Sequence, residues 1–248
     1  MIKLEREECP EELTSEVCEE LTKLYLENRY RDVWNSPKIR KPLKDALLKM
    51  SHGKCAYCEC KLNEESKDVT IDHFLPKSKN PNDVVKWENL FPACLRCNRE
   101  KGDYTGTIVN PCQDRPQDYV ALDSKSRYRL RGIDPIGIGK NTIMAVKLND
   151  IQRVMVPRMA EWEDIHRRLE EVWEDLEEEG YRPRYKNRLE ILMGECMPGS
   201  AYAAVKAANM LDDVCYQNIK AFLKEAGEWT GKLNLFEREM QQIALTFV

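Results

Sequence analysis

No stretch of this sequence approaches the roughly 20 apolar residues that a bilayer-spanning helix needs. The opening MIKLEREECP carries several acids and no apolar leader. The expectation is a chain that is not secreted, makes no membrane contact and stays in the cytoplasm. No phosphate-binding P-loop and no dinucleotide fingerprint occur anywhere. Internal repeats are missing too, which removes solenoids and arrays. An excess of positive charge is likewise missing: 39 Lys and Arg stand against 43 Asp and Glu, a net charge of −4. Free-standing nucleic-acid binders are typically basic, because phosphate neutralisation dominates their affinity. Histidine is scarce, with three in 248 residues, so each one is a candidate to be weighed.

What is present is an ordinary globular composition, 33% charged and 42% hydrophobic, long enough for one large domain or two small ones. Ten cysteines stand out: Cys9, Cys18, Cys55, Cys58, Cys60, Cys94, Cys97, Cys112, Cys196 and Cys215. In a reducing compartment, clustered cysteines point to a metal before they point to disulfides. Cys55-x-x-Cys58 is followed, after 35 intervening residues, by Cys94-x-x-Cys97. Two such turns supply four soft thiolates, the ligand set of tetrahedral Zn²⁺. Cys60 is an alternative to Cys58, and a redox pair or chance burial is the alternative to zinc. A four-thiolate site has no open position, so its task is to fold the chain rather than to do chemistry.

Inside that clamp lies VTIDHFLPKS, with Asp72 directly before His73. Neighbouring side chains on a strand point to opposite faces. The pair can serve one site only if the strand ends there, and Pro76 with the following KSKNPND supplies an end.

Along the chain, residues 1–53 read as an extended start followed by helices, with Val17, Leu21, Leu24 and Tyr25 on one face and Pro42 at a first helical position. In 54–110, KCAYCECKL reads as a tight turn between short strands, DVTIDHFL as a strand, VVKWENLF as a second strand, and ACLRCNREKGD as a helix start. Residues 111–140 are loop-rich, with a hairpin near YVALDSKSRYRL. From 141 to 248 the chain is helical. Ile151, Val154, Met155, Met159, Trp162, Ile165, Leu169, Val172, Trp173 and Leu176 recur at helical spacing. Pro157 kinks or restarts the helix, Gly180 and Pro183 end it, and at least two further helices follow, near 185–197 and 200–228. Segment 161–180 has ten acids against two bases, a solvated face or a surface that repels nucleic acid or docks a basic partner protein. His52 reads as part of a helix end and His166 as a surface residue.

The run CAYCECKL…IDHFLPKS…WENLFPACLRCNREKGD, Cys55 to Asp103, resembles the HNH nuclease motif in its zinc-stapled form. With MIKLERE, VNPCQDRP and the helical second half, the chain is similar to the PtuB family of Septu-type and retron-associated anti-phage systems. There an HNH nuclease accompanies an ATPase, PtuA, in a hetero-oligomeric complex. The resemblance implies a mainly α chain with a small α+β zinc-stapled HNH ββα-metal module, and a 141–248 region that docks the partner. It implies His73 as the general base and Asn89 as the residue that orients the catalytic loop. Asp72 and Asn98 would be ligands of a catalytic Mg²⁺ or Mn²⁺, with Asn98 standing where the motif usually has His. Cys55, Cys58, Cys94 and Cys97 would be the structural zinc ligands. Lys77, Arg99 and Lys101 flank the site as candidate phosphate contacts. The module itself carries nine basic and nine acidic residues over 51–103, so the isolated chain is expected to bind nucleic acid weakly. The function implied is an HNH endonuclease, acting on DNA in anti-phage defence. RNA such as tRNA, cut by the same site, and a non-catalytic zinc-binding adaptor are the alternatives.

Overall fold

The computed structural model describes residues 1–30, 32–34, 36–63 and 68–248. Helix α1 (Ser15–Glu27) starts where the Thr14 hydroxyl accepts the Val17 amide, as an N-cap residue does. It buries Tyr25. Helix α2 (Pro37–Met50) begins at Pro37 rather than at Pro42, which lies inside it. Pro37 is the residue that takes the first-turn position where a missing N–H costs nothing.

Strand β1 (Val69–His73) pairs antiparallel with β2 (Leu90–Cys94), with His73 opposite Leu90, Asp72 opposite Phe91 and Val69 opposite Cys94. Helix α3 (Leu95–Lys101) follows at once, with Cys94 as its N-cap. This is the expected strand, loop, strand, helix order, with two differences. The Cys55–Cys60 turn is flanked by a single bridge, Lys54 to Lys61, rather than by strands. Trp87–Asn89 forms a 3-10 turn, and the second strand starts only at Leu90. The cause lies far away in sequence. The Trp87 indole donates to the Glu7 carbonyl at 2.8 Å, and Arg6 donates to the Trp87 and Leu90 carbonyls at 3.1 and 2.7 Å. The Arg6 guanidinium also sits over the Trp87 and Phe91 rings, a cation–π contact.

The anticipated hairpin is β3 (Val120–Leu122) with β4 (Leu130–Gly132). Helix α4 (Ile138–Ala145) packs closely on it, and a Cβ at Gly139 would come within 1.9 Å of the Tyr119 carbonyl oxygen. A π turn, Ile151–Met155, leads into the long helix α5 (Val156–Glu179), with Pro157 in its first turn. The extra residue of a π turn shifts the helical phase. Trp162, Ile165, Leu169, Val172 and Leu176 are buried as the spacing predicts, while Ile151 and Met159 face solvent. Gly180, at φ +71°, ends α5 in the left-handed region that glycine adopts without strain.

Four shorter helices follow: α6 (Pro183–Gly194), α7 (Ala203–Asp212), α8 (Val214–Glu225) and α9 (Gly231–Ile243). The expected single helix over 200–228 is broken at Asp213, whose carboxylate caps α8 through the Tyr216 amide at 3.0 Å. Helix α7 is buried from Ala203 to Met210, and its four alanines let α5, α8 and α9 approach. His166 is not a plain surface residue: its Nδ1 lies 2.7 Å from the Asp213 carboxylate, tying α5 to the α7–α8 corner. The acidic face of α5 is partly neutralised by Arg188, which reaches Glu171 and Asp175 at 3.0 and 2.7 Å. No helix among the described residues is long and apolar enough to cross a membrane.

Glu59 joins the two halves. Buried within the Cys58–Cys60 turn, it pairs with Lys54 at 3.2 Å and with the Met1 ammonium. It also accepts the Tyr202 amide on its carbonyl and the Ala204 amide on its carboxylate. Burial raises the Glu59 carboxyl, but its two cations overcome this and bring it down to about 2.

Candidate active site

The Sγ atoms of Cys55, Cys58, Cys94 and Cys97 all lie within 4.8 Å of one another, and no cysteine is in a disulfide. A tetrahedron with Zn–S bonds of about 2.3 Å has sulfur–sulfur edges of about 3.8 Å. The Cys58 and Cys94 sulfurs are 3.9 Å apart. The donor set therefore fits zinc in chemistry and spacing, and Cys60 stands outside the group of four. The Cys97 amide approaches the Cys94 sulfur at 3.4 Å, and Arg153 donates to the Cys97 sulfur at 3.3 Å. Such bonds favour the thiolate form that a metal requires. The cluster staples the start of α3 to the turn at Cys55, while the Ala56 amide bonds to the β2 carbonyl of Pro92 at 2.9 Å.

His73 ends β1. Its Nε2 lies 2.8 Å from the Val84 carbonyl oxygen. A carbonyl can only accept, so Nε2 carries the proton and Nδ1 is left with its lone pair in the neutral ring. Among the described residues, none hydrogen-bonds Nδ1. The side chain is 9% exposed and stacks on Trp34, with ring centroids 6.4 Å apart. Burial lowers the imidazole to about 4; the Val84 bond opposes this, and Lys77 and Lys101 add to it. The ring is therefore neutral near pH 7.

Asn89 fixes the loop between the strands. Its Oδ1 accepts the Leu75 amide at 2.7 Å, and its Nδ2 donates to the Leu75 and Asp83 carbonyls, each at 3.1 Å. Asp83 directly precedes Val84, so the same side chain holds the backbone that sets the His73 tautomer. Ser78 adds a bond to Asp103 at 2.7 Å, closing the loop onto the end of α3.

Thr70 and Asp72 share the face of β1 turned toward α3, the opposite face from His73. Asn98 donates its amide to the Thr70 hydroxyl at 3.0 Å, which leaves its carbonyl oxygen as an acceptor. Three residues later on α3, Lys101 donates to Asp72 Oδ1 at 3.2 Å and to the His73 carbonyl at 2.6 Å. The Tyr57 hydroxyl donates to Asp72 Oδ2 at 2.5 Å. Asp72 is 3% exposed, and burial raises its carboxyl above the usual range, with Lys101 and Tyr57 opposing the rise. The oxygens of Asp72 and Asn98 thus lie along one strand–helix seam, and hard oxygen donors suit Mg²⁺ or Mn²⁺.

The candidate phosphate contacts divide. Arg99 is exposed, and Lys77 is half-buried with its ammonium 5.4 Å from the centre of the Tyr25 ring. Lys101 is corrected: it is 2% exposed, and its ammonium is spent on Asp72 and the His73 carbonyl rather than presented to a phosphate. Reading the sequence missed Tyr57, Glu59 and Trp34. The first two were visible only as fillers among the clustered cysteines, and Trp34 lies 39 positions from the histidine that it covers.

Comparison with known proteins matches the stretch of chain that holds these residues. A family model, HNH endonuclease, matches residues 55–104. The chain is 34% identical over 240 residues to the Septu protein PtuB of Bacillus thuringiensis, spanning 92% of this chain and 89% of that protein. It is 29% identical over 111 residues to the Septu protein PtuB of Bacillus mycoides (strain KBAB4), covering 32% of this chain and 37% of that one. Protein ea31 of Escherichia phage lambda is 37% identical over 97 residues, 38% of this chain and 31% of the phage protein.

Proposed function

The chain belongs to the family of Septu protein PtuB and carries an HNH endonuclease module; from that premise we propose that it hydrolyses phosphodiester bonds of DNA in anti-phage defence, in the cytoplasm, beside a PtuA-like ATPase. The observation that carries the reading is the His73 tautomer: Nε2–H is committed to the Val84 carbonyl and Nδ1 remains basic in a ring that is neutral near pH 7. A neutral imidazole in that state takes a proton from water as the water attacks phosphorus. The P–O bond to the leaving sugar oxygen breaks as the new one forms. Asn89 keeps the loop, and with it the Val84 carbonyl, in place during the transfer.

Asp72 and Asn98 would hold Mg²⁺ or Mn²⁺, and a bound divalent cation would polarise the phosphoryl oxygen and neutralise charge on the leaving group. Arg99 and Lys77 are the side chains we assign to phosphate contact. The zinc ligands keep β2, α3 and the Cys55 turn in register beneath the site. Partner docking is assigned to 141–248. Its exposed apolar side chains, among them Ile151, Ile191 and Val214, support that assignment.

The test is a cleavage assay with Mg²⁺ and with Mn²⁺, on DNA and on RNA, with and without the ATPase. DNA cleavage abolished by His73→Ala, with zinc retained, supports the reading. Cleavage of RNA alone would move the substrate class and keep the site. No cleavage under any condition would favour a zinc-binding adaptor.

A further inference from the structure

The Asp72 carboxylate does not stand free at the site. Among the described residues it has two side-chain partners, and they take one oxygen each: Tyr57 at Oδ2 and Lys101 at Oδ1. We propose that Tyr57 and Lys101 are the positioning residues of this reaction, fixing the Asp72 carboxylate and the His73 backbone between them; this rests on the assignment of Asp72 as a metal ligand made above.

Tyr57 lies inside the Cys55–Cys58 turn and is 0% exposed. Its hydroxyl has the Asp72 carboxylate as its hydrogen-bond partner. A hydroxyl or an ammonium taken out of water must find a partner or destabilise the fold, and both donors here converge on one carboxylate. An ionised carboxylate has about four lone-pair directions. These two side chains take one direction on each oxygen, which fixes the plane of the group. Lys101 does more: its second bond, to the His73 carbonyl, fixes the last peptide of β1. That is the point at which Asp72 and His73, on opposite faces of the strand, must both serve one site. The Tyr57 hydroxyl further links the zinc-bearing turn directly to the metal-binding carboxylate, so zinc occupancy and site geometry are coupled through one hydrogen bond. Partners of this kind, hydrogen-bonded to a ligating carboxylate, typically change metal affinity or activity about 10–100-fold when removed.

The experiment uses the full-length zinc-loaded protein and compares wild type, Tyr57→Phe, Lys101→Met and Asp72→Asn. Mn²⁺ binding is followed by electron paramagnetic resonance, zinc content is measured, and kcat and KM are determined on supercoiled plasmid DNA. Tyr57→Phe keeps the buried ring and removes one oxygen. The expected result is unchanged zinc content and KM, Mn²⁺ binding weakened about 10–100-fold, and a matching loss in kcat. Lys101→Met leaves the carboxylate without its cation and is expected to lose kcat as well; should it fail to fold, Tyr57→Phe decides alone. If Asp72→Asn loses Mn²⁺ while Tyr57→Phe binds it and turns over like wild type, the positioning role is overturned and the metal assignment stands. If Asp72→Asn binds Mn²⁺ as wild type does, Asp72 is not a ligand, and both assignments fail together.

Discussion

Replacing Asn89 by alanine isolates the part of the site that holds the loop between β1 and β2. The side chain is 4% exposed and makes three hydrogen bonds, to the Leu75 amide and to the Leu75 and Asp83 carbonyls. A buried hydrogen bond contributes about 1 kcal/mol net, and a group left without a partner costs more. Asn89→Ala should therefore lower the unfolding free energy by about 3 kcal/mol, a large share of the stability of a typical domain. Because Val84 follows Asp83 directly, the loosened backbone should also release the carbonyl that fixes the His73 ring, and cleavage should fall while zinc stays bound. Asn89→Asp gives a sharper contrast. A carboxylate can still accept the Leu75 amide, but it faces two carbonyl oxygens with no proton to offer them, so it should be at least as damaging as alanine. Urea unfolding of the zinc-loaded variants measures the first effect and a cleavage rate the second. A loss below about 1 kcal/mol with normal cleavage, or an aspartate variant better than alanine, would refute the reasoning.

Three further outcomes follow. His73 titrates near 4 when folded and near 6.5 when unfolded, so the unfolded chain binds more protons between those values and stability falls as pH drops through that window. The contribution is about 3 kcal/mol, and His73→Gln should lack it; equal pH slopes for the two proteins in urea titrations would count against the burial of His73. Trp34→Ala should raise the His73 titration point toward its free value, since burial is the main cause of the depression; an unshifted imidazole resonance in NMR would show that Trp34 is not what covers it. Removing zinc with a strong chelator, or Cys94→Ser, should unfold the module, because structural zinc supplies about 10–16 kcal/mol in comparable sites; an unchanged circular-dichroism melt in the zinc-free protein would show that the staple is dispensable.

The residues that carry local signals were legible from the sequence. Cys55, Cys58, Cys94 and Cys97 could be grouped by spacing alone, and the structure brings those four sulfurs together. Pro76 marked the end of the strand that carries Asp72 and His73, and the helix after Cys94 began where its pattern changed. What escaped was set by partners distant in sequence. Trp87 has the composition of a strand residue, yet bonds from Arg6 and to Glu7, some 80 positions away, hold it in a turn. Lys101 looked like a surface cation because lysine usually is one; its burial depends on Asp72, 29 positions earlier. His166 was likewise read as surface because its partner, Asp213, lies 47 positions on. The break at Asp213 did have a local signal, an aspartate able to cap the next helix, but periodicity ran through it and hid the boundary.

The most direct test of His73 as the general base of an endonuclease is a cleavage assay of wild type against His73→Ala, both zinc-loaded, with Mg²⁺ or Mn²⁺ and with the proposed ATPase partner present. The expected result is cleavage by wild type and, with the same zinc content and unfolding transition, none by the variant. Equal cleavage by the two proteins would contradict it.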